Sequence, residues 1–116
     1  GYRMFRNLFD LSASEAKAAR PSAIYTSSDM VALGVMKAAA ELGVKIPQDI
    51  SLVGYDDIMF ASLPTVMLTT VAQPRFELGR LAIDLLCKAM EPSPQVETHR
   101  ATLEPKLILR STTRKI

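Results

Sequence analysis

The chain has 116 residues, a length that suits one domain or part of one, with room for a real core but not for two. Its 48% hydrophobic and 22% charged content is ordinary for a globular chain, and the net charge of +2 comes from scattered Lys and Arg. That excess reads as a solvated surface and not as a nucleic-acid footprint. No apolar run approaches the ~18 residues that span a bilayer, and no secretory leader pattern opens the chain. A single Cys87 excludes an internal disulfide and fits a reducing compartment. Gly1 is not an initiator Met, so the sequence reads as a piece of something longer.

Residues 2–11 carry Tyr2, Phe5 and Phe9 at helical spacing and predict an amphipathic helix entered without a cap. Ser12-Ala13-Ser14-Glu15 resembles a capping box, which would open a second short helix ending before Pro21. Ala23–Thr26 reads as a short buried strand, followed by Ser27-Ser28-Asp29, one of which should cap the next helix. On that capping reading Asp29 serves its own helix. The helix runs to Leu42 and stops at Gly43. It carries two apolar stripes: Val31, Val35, Ala38 and Leu42 should pack on a sheet, while Leu33, Met36 and Ala40 need a second partner from this chain or from another subunit.

Residues 50–54 form an apolar, β-branched run closed by Gly54, the pattern of a buried parallel strand. Strand, helix and strand within some thirty residues make a βαβ unit. Asp56 and Asp57 then stand just past the strand's carboxyl end, the edge where open α/β sheets bind ligands. Asp57 can cap the short helical turn expected over 58–63. Residues 68–72 predict a third strand, and Pro74 opens a helix over about 75–90 expected to bury Phe76, Gly79, Ala82, Ile83, Leu86 and Met90. A weak edge strand over 96–103 and a short strand over 106–110 complete an α/β fold with a mostly parallel sheet flanked by helices.

Catalytic constellations are not evident. His99 has no nucleophile or carboxylate placed beside it, and one His with one Cys cannot build a normal zinc site. No phosphate-binding glycine loop, nucleophile elbow or Cys-x-x-Cys occurs. The Asp56-Asp57 pair could hold Mg²⁺ in an α/β enzyme, but the Lys or Thr that such sites need does not follow. No cofactor or metal is expected. As a binding edge the same residues make better sense, because Ser27, Ser28 and Asp29, then Asp56 and Asp57, then Gln73 bring donors and acceptors to three strand ends. Such a rim suits a small polyhydroxylated or heterocyclic ligand.

Three segments resemble the lactose/galactose repressor family of bacterial transcription regulators. Pro21-Ser-Ala-Ile-Tyr-Thr-Ser-Ser-Asp-Met-Val-Ala-Leu-Gly34 resembles its "P-T-A-hydrophobic…N-D-x-x-A-x-G" signature, and Gly43-Val-Lys-Ile-Pro-Gln-Asp-Ile-Ser-Leu-Val-Gly-Tyr-Asp-Asp57 its "G-x-x-x-P-x-D-x-S…G-[YF]-D" signature. Leu68-Thr-Thr-Val-Ala-Gln-Pro74 with Gly79 resembles the "L-T-T-[VI]-x-Q-P…G" segment. The resemblance implies a periplasmic-binding-protein-like type I C-terminal subdomain over 1–110, a tail over 111–116, and a half-site for a sugar or purine-like effector. It implies effector contacts from Asp56, from Ser28 where the family commonly has Asn, and from Gln73 near a hinge. It also implies a cytoplasmic homodimer, with Leu33, Met36, Ala40, Met59 and Leu63 at the interface, and operator DNA bound only through an N-terminal domain outside these 116 residues. Within the same fold, an extracytoplasmic sugar-binding protein serving transport is the alternative.

Overall fold

A computed structural model describes residues 1–9, 20–90 and 100–115. The expected helix over 12–19 and the first half of the expected edge strand, 96–99, lie outside these residues; 100–103 form no strand. The elements are α1 (Tyr2–Phe9), β1 (Ala23–Tyr25), α2 (Asp29–Glu41), β2 (Ser51–Tyr55), a 3-10 turn (Met59–Ser62), β3 (Thr69–Ala72), α3 (Arg75–Met90) and β4 (Lys106–Ile108). They divide into two compact units, residues 1–72 with those from 107 onward, and residues 73–106.

The first unit is built on a mostly parallel sheet of order β1-β2-β3-β4. β1 and β2 pair in parallel with Ile24 beside Leu52, and β2 pairs in parallel with β3, setting Gly54 beside Thr70. The side chains that alternate onto one face, Leu52 foremost, bury against α2. α2 answers with Ala32, Val35, Ala38 and Ala39, all buried. Its buried face is therefore turned toward Ala32 and Ala39 from the stripe expected through Val31 and Leu42, which are only half-buried. The small residues on that face let helix and sheet approach closely. The core is completed by Ile50, Leu68, Ala61 and the stacked Phe5 and Phe9, whose rings lie 4.3 Å apart.

α1 packs on α2 and supplies part of the second partner that α2 needs from within the chain. Tyr2 donates its hydroxyl proton to Glu41, Arg6 lies 3.3 Å from the same carboxylate, and Lys37 stands 5.5 Å over the Tyr2 ring. Leu33 and Met36 are half-buried and Ala40 is exposed. At its end α2 closes as a Schellman motif: Gly43 N–H donates to Ala40 and Val44 N–H to Ala39, with Gly43 at φ +67°.

Two expectations are corrected. β1 is not a buried strand, because it forms the sheet's edge and Tyr25 is 62% exposed. α3 buries none of its residues, and Phe76, Ile83, Leu86 and Met90 are all exposed. Its unit holds no other helix or second layer among the described residues against which one apolar stripe could close.

The residues beyond 110 are built into the first unit. Thr112 is buried; its hydroxyl donates to Leu52 O at 2.7 Å and accepts from Thr69 N–H at 2.8 Å, while its carbonyl accepts from Leu52 N–H at 2.8 Å. A single threonine thereby ties the start of β2 to the start of β3.

Candidate functional site

At the carboxyl ends of β1 and β2 the chain presents its polar groups. Thr26, just past β1, is buried and keeps its N–H on Val53 O at 2.9 Å, so the ladder runs one residue beyond the strand. Its hydroxyl donates to Ser28 O at 3.0 Å, which folds Ser27 and Ser28 back over the strand end. Ser28 is then the N-cap of α2: its backbone is extended at φ −159° and its Oγ accepts from Val31 N–H at 3.3 Å. The hydroxyl proton of a capping serine is not consumed by that bond, so it can be donated elsewhere.

Asp29 does not cap its own helix. It is fully buried, Oδ1 accepts from the Thr70 hydroxyl at 2.5 Å, and Oδ2 accepts from Ile58 N–H at 2.9 Å. Once Ser28 has taken the cap, the carboxyl group is directed across the sheet toward β3 and the segment after β2. Gly54 makes room for it. A β-carbon there would lie 2.1 Å from Asp29 Oδ1.

Asp56 and Asp57 follow β2. Asp56 is half-buried and its N–H donates to Val71 O at 2.9 Å, carrying the β2–β3 ladder past the strand. Its φ is +106° and that of Asp57 is +49°, so two successive non-glycine residues occupy a region that L side chains rarely adopt. Such backbone costs of order 1–3 kcal/mol per residue and clusters at functional sites. Asp57 Oδ1 accepts from Arg110 at 2.7 Å in a largely buried ion pair, and Arg110 also donates to Leu68 O at 2.8 Å. The 3-10 turn that Asp57 was expected to cap has Ile58 at its N-cap position, without a side-chain cap bond. Gln73 is the first residue of the second unit, directly after β3 in the chain; its carbonyl accepts from Arg75 N–H at 2.8 Å.

Ser28 and Asp56 therefore stand at the ends of neighbouring strands of one unit, as sequence spacing predicts. The pairing of Asp29 with Thr70 and that of Asp57 with Arg110 were not legible in the sequence. The partners of Asp29 lie 29 and 41 residues away, and Arg110 lies 53 residues beyond Asp57. No local pattern encodes such separations. Among the described residues no group of three or more His, Cys, Asp or Glu is arranged to hold a metal ion, and no helix is long and apolar enough to cross a membrane.

A mostly parallel sheet with a helix on one face and polar groups at its carboxyl edge defines the class, an α/β domain of the kind whose carboxyl edge commonly takes ligands. Comparison gives the family. The family described as periplasmic binding protein-like domain matches residues 2–113, and the chain belongs to it. The ribose operon repressor of Escherichia coli K12 is 44% identical over 91 residues, covering 78% of this chain and 27% of the repressor. The HTH-type transcriptional repressor PurR of Edwardsiella ictaluri is 34% identical over 110 residues, covering 95% of this chain and 30% of that protein. Among solved structures, a LacI family transcriptional regulator from Enterococcus faecium with bound ribose superposes with a TM-score of 0.73 at 31% identity, covering 97% of this chain and 38% of that one. The chain thus spans about a third of the length of the repressors it matches.

Proposed function

We propose that this chain is the C-terminal part of the effector-binding domain of a repressor-type transcription regulator, and that Asp56 holds a sugar effector. The observation that carries the reading is the placement of Asp56. A carboxylate in a rare backbone conformation, half-buried at the carboxyl edge of a parallel sheet, is poised to accept hydrogen bonds from ligand hydroxyls. The kinship with ribose-associated repressors supports a pentose as the first sugar to try. Ser28 complements Asp56: its Oγ accepts from Val31 N–H with one lone pair, and its hydroxyl proton is there to be donated to a ligand oxygen where Asp56 accepts. Gln73 is proposed as a contact close to the hinge on the strength of its motif. The domain works by binding and not by catalysis, needs no cofactor, and belongs to a cytoplasmic protein whose DNA contacts lie in another part of the regulator.

The same reading makes the regulator a homodimer. Met59 and Leu63, on and beside the 3-10 turn, are 75% and 42% exposed. With the remaining exposed parts of Leu33, Met36 and Ala40 they are the proposed subunit contact.

A thermal-shift panel on the full-length regulator tests the effector. A ligand at a hundredfold excess over its Kd stabilises the native state by about 2.7 kcal/mol, a shift of several degrees. Ribose is expected to raise Tm while hypoxanthine leaves it unchanged. A shift with hypoxanthine alone would replace the sugar by a purine, and no shift with any sugar would overturn the sugar reading.

A further inference from the structure

We propose that Asp29 is a positioning residue for Asp56, holding the effector carboxylate in place without touching the effector. The proposal rests on the reading of Asp56 as the effector contact. Three pieces of chain meet at the Asp29 carboxyl group: the start of α2, Thr70 in β3, and Ile58, the first residue after the acidic pair. The segment leaving β2 is therefore fixed at both ends. At its near end Asp56 N–H is bound to Val71 O at 2.9 Å, and at its far end Ile58 N–H is bound to Asp29 Oδ2 at the same distance.

Between those anchors only Asp56 and Asp57 remain, and both have positive φ. A link of two residues has few conformations that span fixed ends, and rare backbone persists only where its surroundings over-determine it. The bond from Ile58 to Asp29 is one of those determinants, and the ion pair from Arg110 to Asp57 is another. Asp29 is held in turn by the Thr70 hydroxyl and by the space left at Gly54. Releasing Asp29 frees the far anchor, lets the link relax toward ordinary φ, and turns the Asp56 carboxylate away from its binding direction. Effector affinity should fall for that reason and not through loss of core stability.

Thr70 separates the two causes, because its hydroxyl and its methyl can be removed one at a time. Ribose binding is measured by calorimetry on the full-length regulator with Thr70→Val, Thr70→Ser and Asp56→Asn. Both Thr70 variants should lower Tm, one by losing a bond and the other by losing a buried methyl. Affinity should fall at least tenfold in Thr70→Val and stay within twofold in Thr70→Ser. Equal affinities in the two, whether both reduced or both unchanged, would overturn the positioning role. Asp56→Asn should abolish binding in either case, so loss there with an unaffected Thr70→Val leaves the effector reading standing and removes only this proposal. If the wild type gives no heat with ribose, the ribose reading fails by itself. Positioning is then decided by amide hydrogen exchange at Ile58, whose N–H is the anchor on Asp29 and should exchange faster in Thr70→Val than in Thr70→Ser; equal rates would overturn it. Should Thr70→Val not fold, Asp29→Asn takes its place in both measurements with the same expected loss, since its amide group cannot accept at both positions.

Discussion

Gly54 lies so close to Asp29 that a β-carbon on it would stand 2.1 Å from Oδ1 and 2.9 Å from Leu68 Cδ2. Neither neighbour is a flexible tip. Asp29 is fixed by Thr70 and Ile58, and Leu68 is wholly buried. Gly54→Ala must therefore displace the buried carboxyl group or part β2 from α2, and overpacking of this kind costs about 3 kcal/mol. Urea denaturation of the full-length protein, followed by a probe of this domain, measures it. A loss below about 1 kcal/mol would mean that the site can relax around an added methyl.

Gly43 offers the contrast. Its φ is +67°, and a β-carbon there would meet nothing within 4 Å. Only backbone strain opposes a side chain, so Gly43→Ala should cost about 1 kcal/mol and Gly43→Asn less, since Asn tolerates the left-handed region. The same denaturation series checks the order Gly, Asn, Ala at this position and the larger penalty at Gly54.

Much of the first unit could be read from local pattern. The β1–α2–β2 unit, the turn at Gly43 and the placement of Asp56 beyond a strand all depend on residues near one another in sequence, and β2 was displaced from its expected span by one residue. The Ser27-Ser28-Asp29 triplet shows where such reading stops. Each residue is a competent cap, and the choice fell to Ser28 because Asp29 had partners at Ile58 and Thr70 that no nearby residue announces. The apolar stripe of α3 marks a further limit. Spacing at Phe76, Ile83 and Leu86 identifies a face that suits burial, but burial depends on what lies against it, and that information is not carried by the helix itself.

Thr112 gives a third prediction. Its hydroxyl serves Leu52 O and Thr69 N–H at once, and the pair lies inside the sheet where water cannot substitute. Thr112→Val keeps the shape and leaves two buried backbone groups without that partner, a loss of about 2 kcal/mol. Thr112→Ser should recover most of it. Residues 111–115 would then count as part of the sheet's construction, and a truncation after Arg110 should be at least as harmful as Thr112→Val.

The proposed subunit contact is tested by charge. Met59 and Leu63 are exposed, so replacing both by Glu should leave the fold of a subunit almost unchanged, as surface substitutions usually do within about 0.5 kcal/mol. In a dimer interface the same change buries two pairs of unpaired carboxylates. Sedimentation of the full-length Met59→Glu/Leu63→Glu protein should show monomers where the wild type shows dimers. An unchanged dimer would move the interface elsewhere.

The proposed effector site depends on one carboxylate, Asp56, at the end of β2. Asp56→Asn keeps the side chain's size and its tolerance of positive φ, and removes the charged acceptor. Calorimetric titration of ribose into the full-length wild type and the Asp56→Asn variant, with thermal unfolding as a control for folding, isolates that group. The expected result is saturable binding to the wild type and at least a hundredfold weaker binding to the variant at unchanged Tm. Ribose bound equally well by both proteins would contradict the assignment of Asp56 as the effector contact.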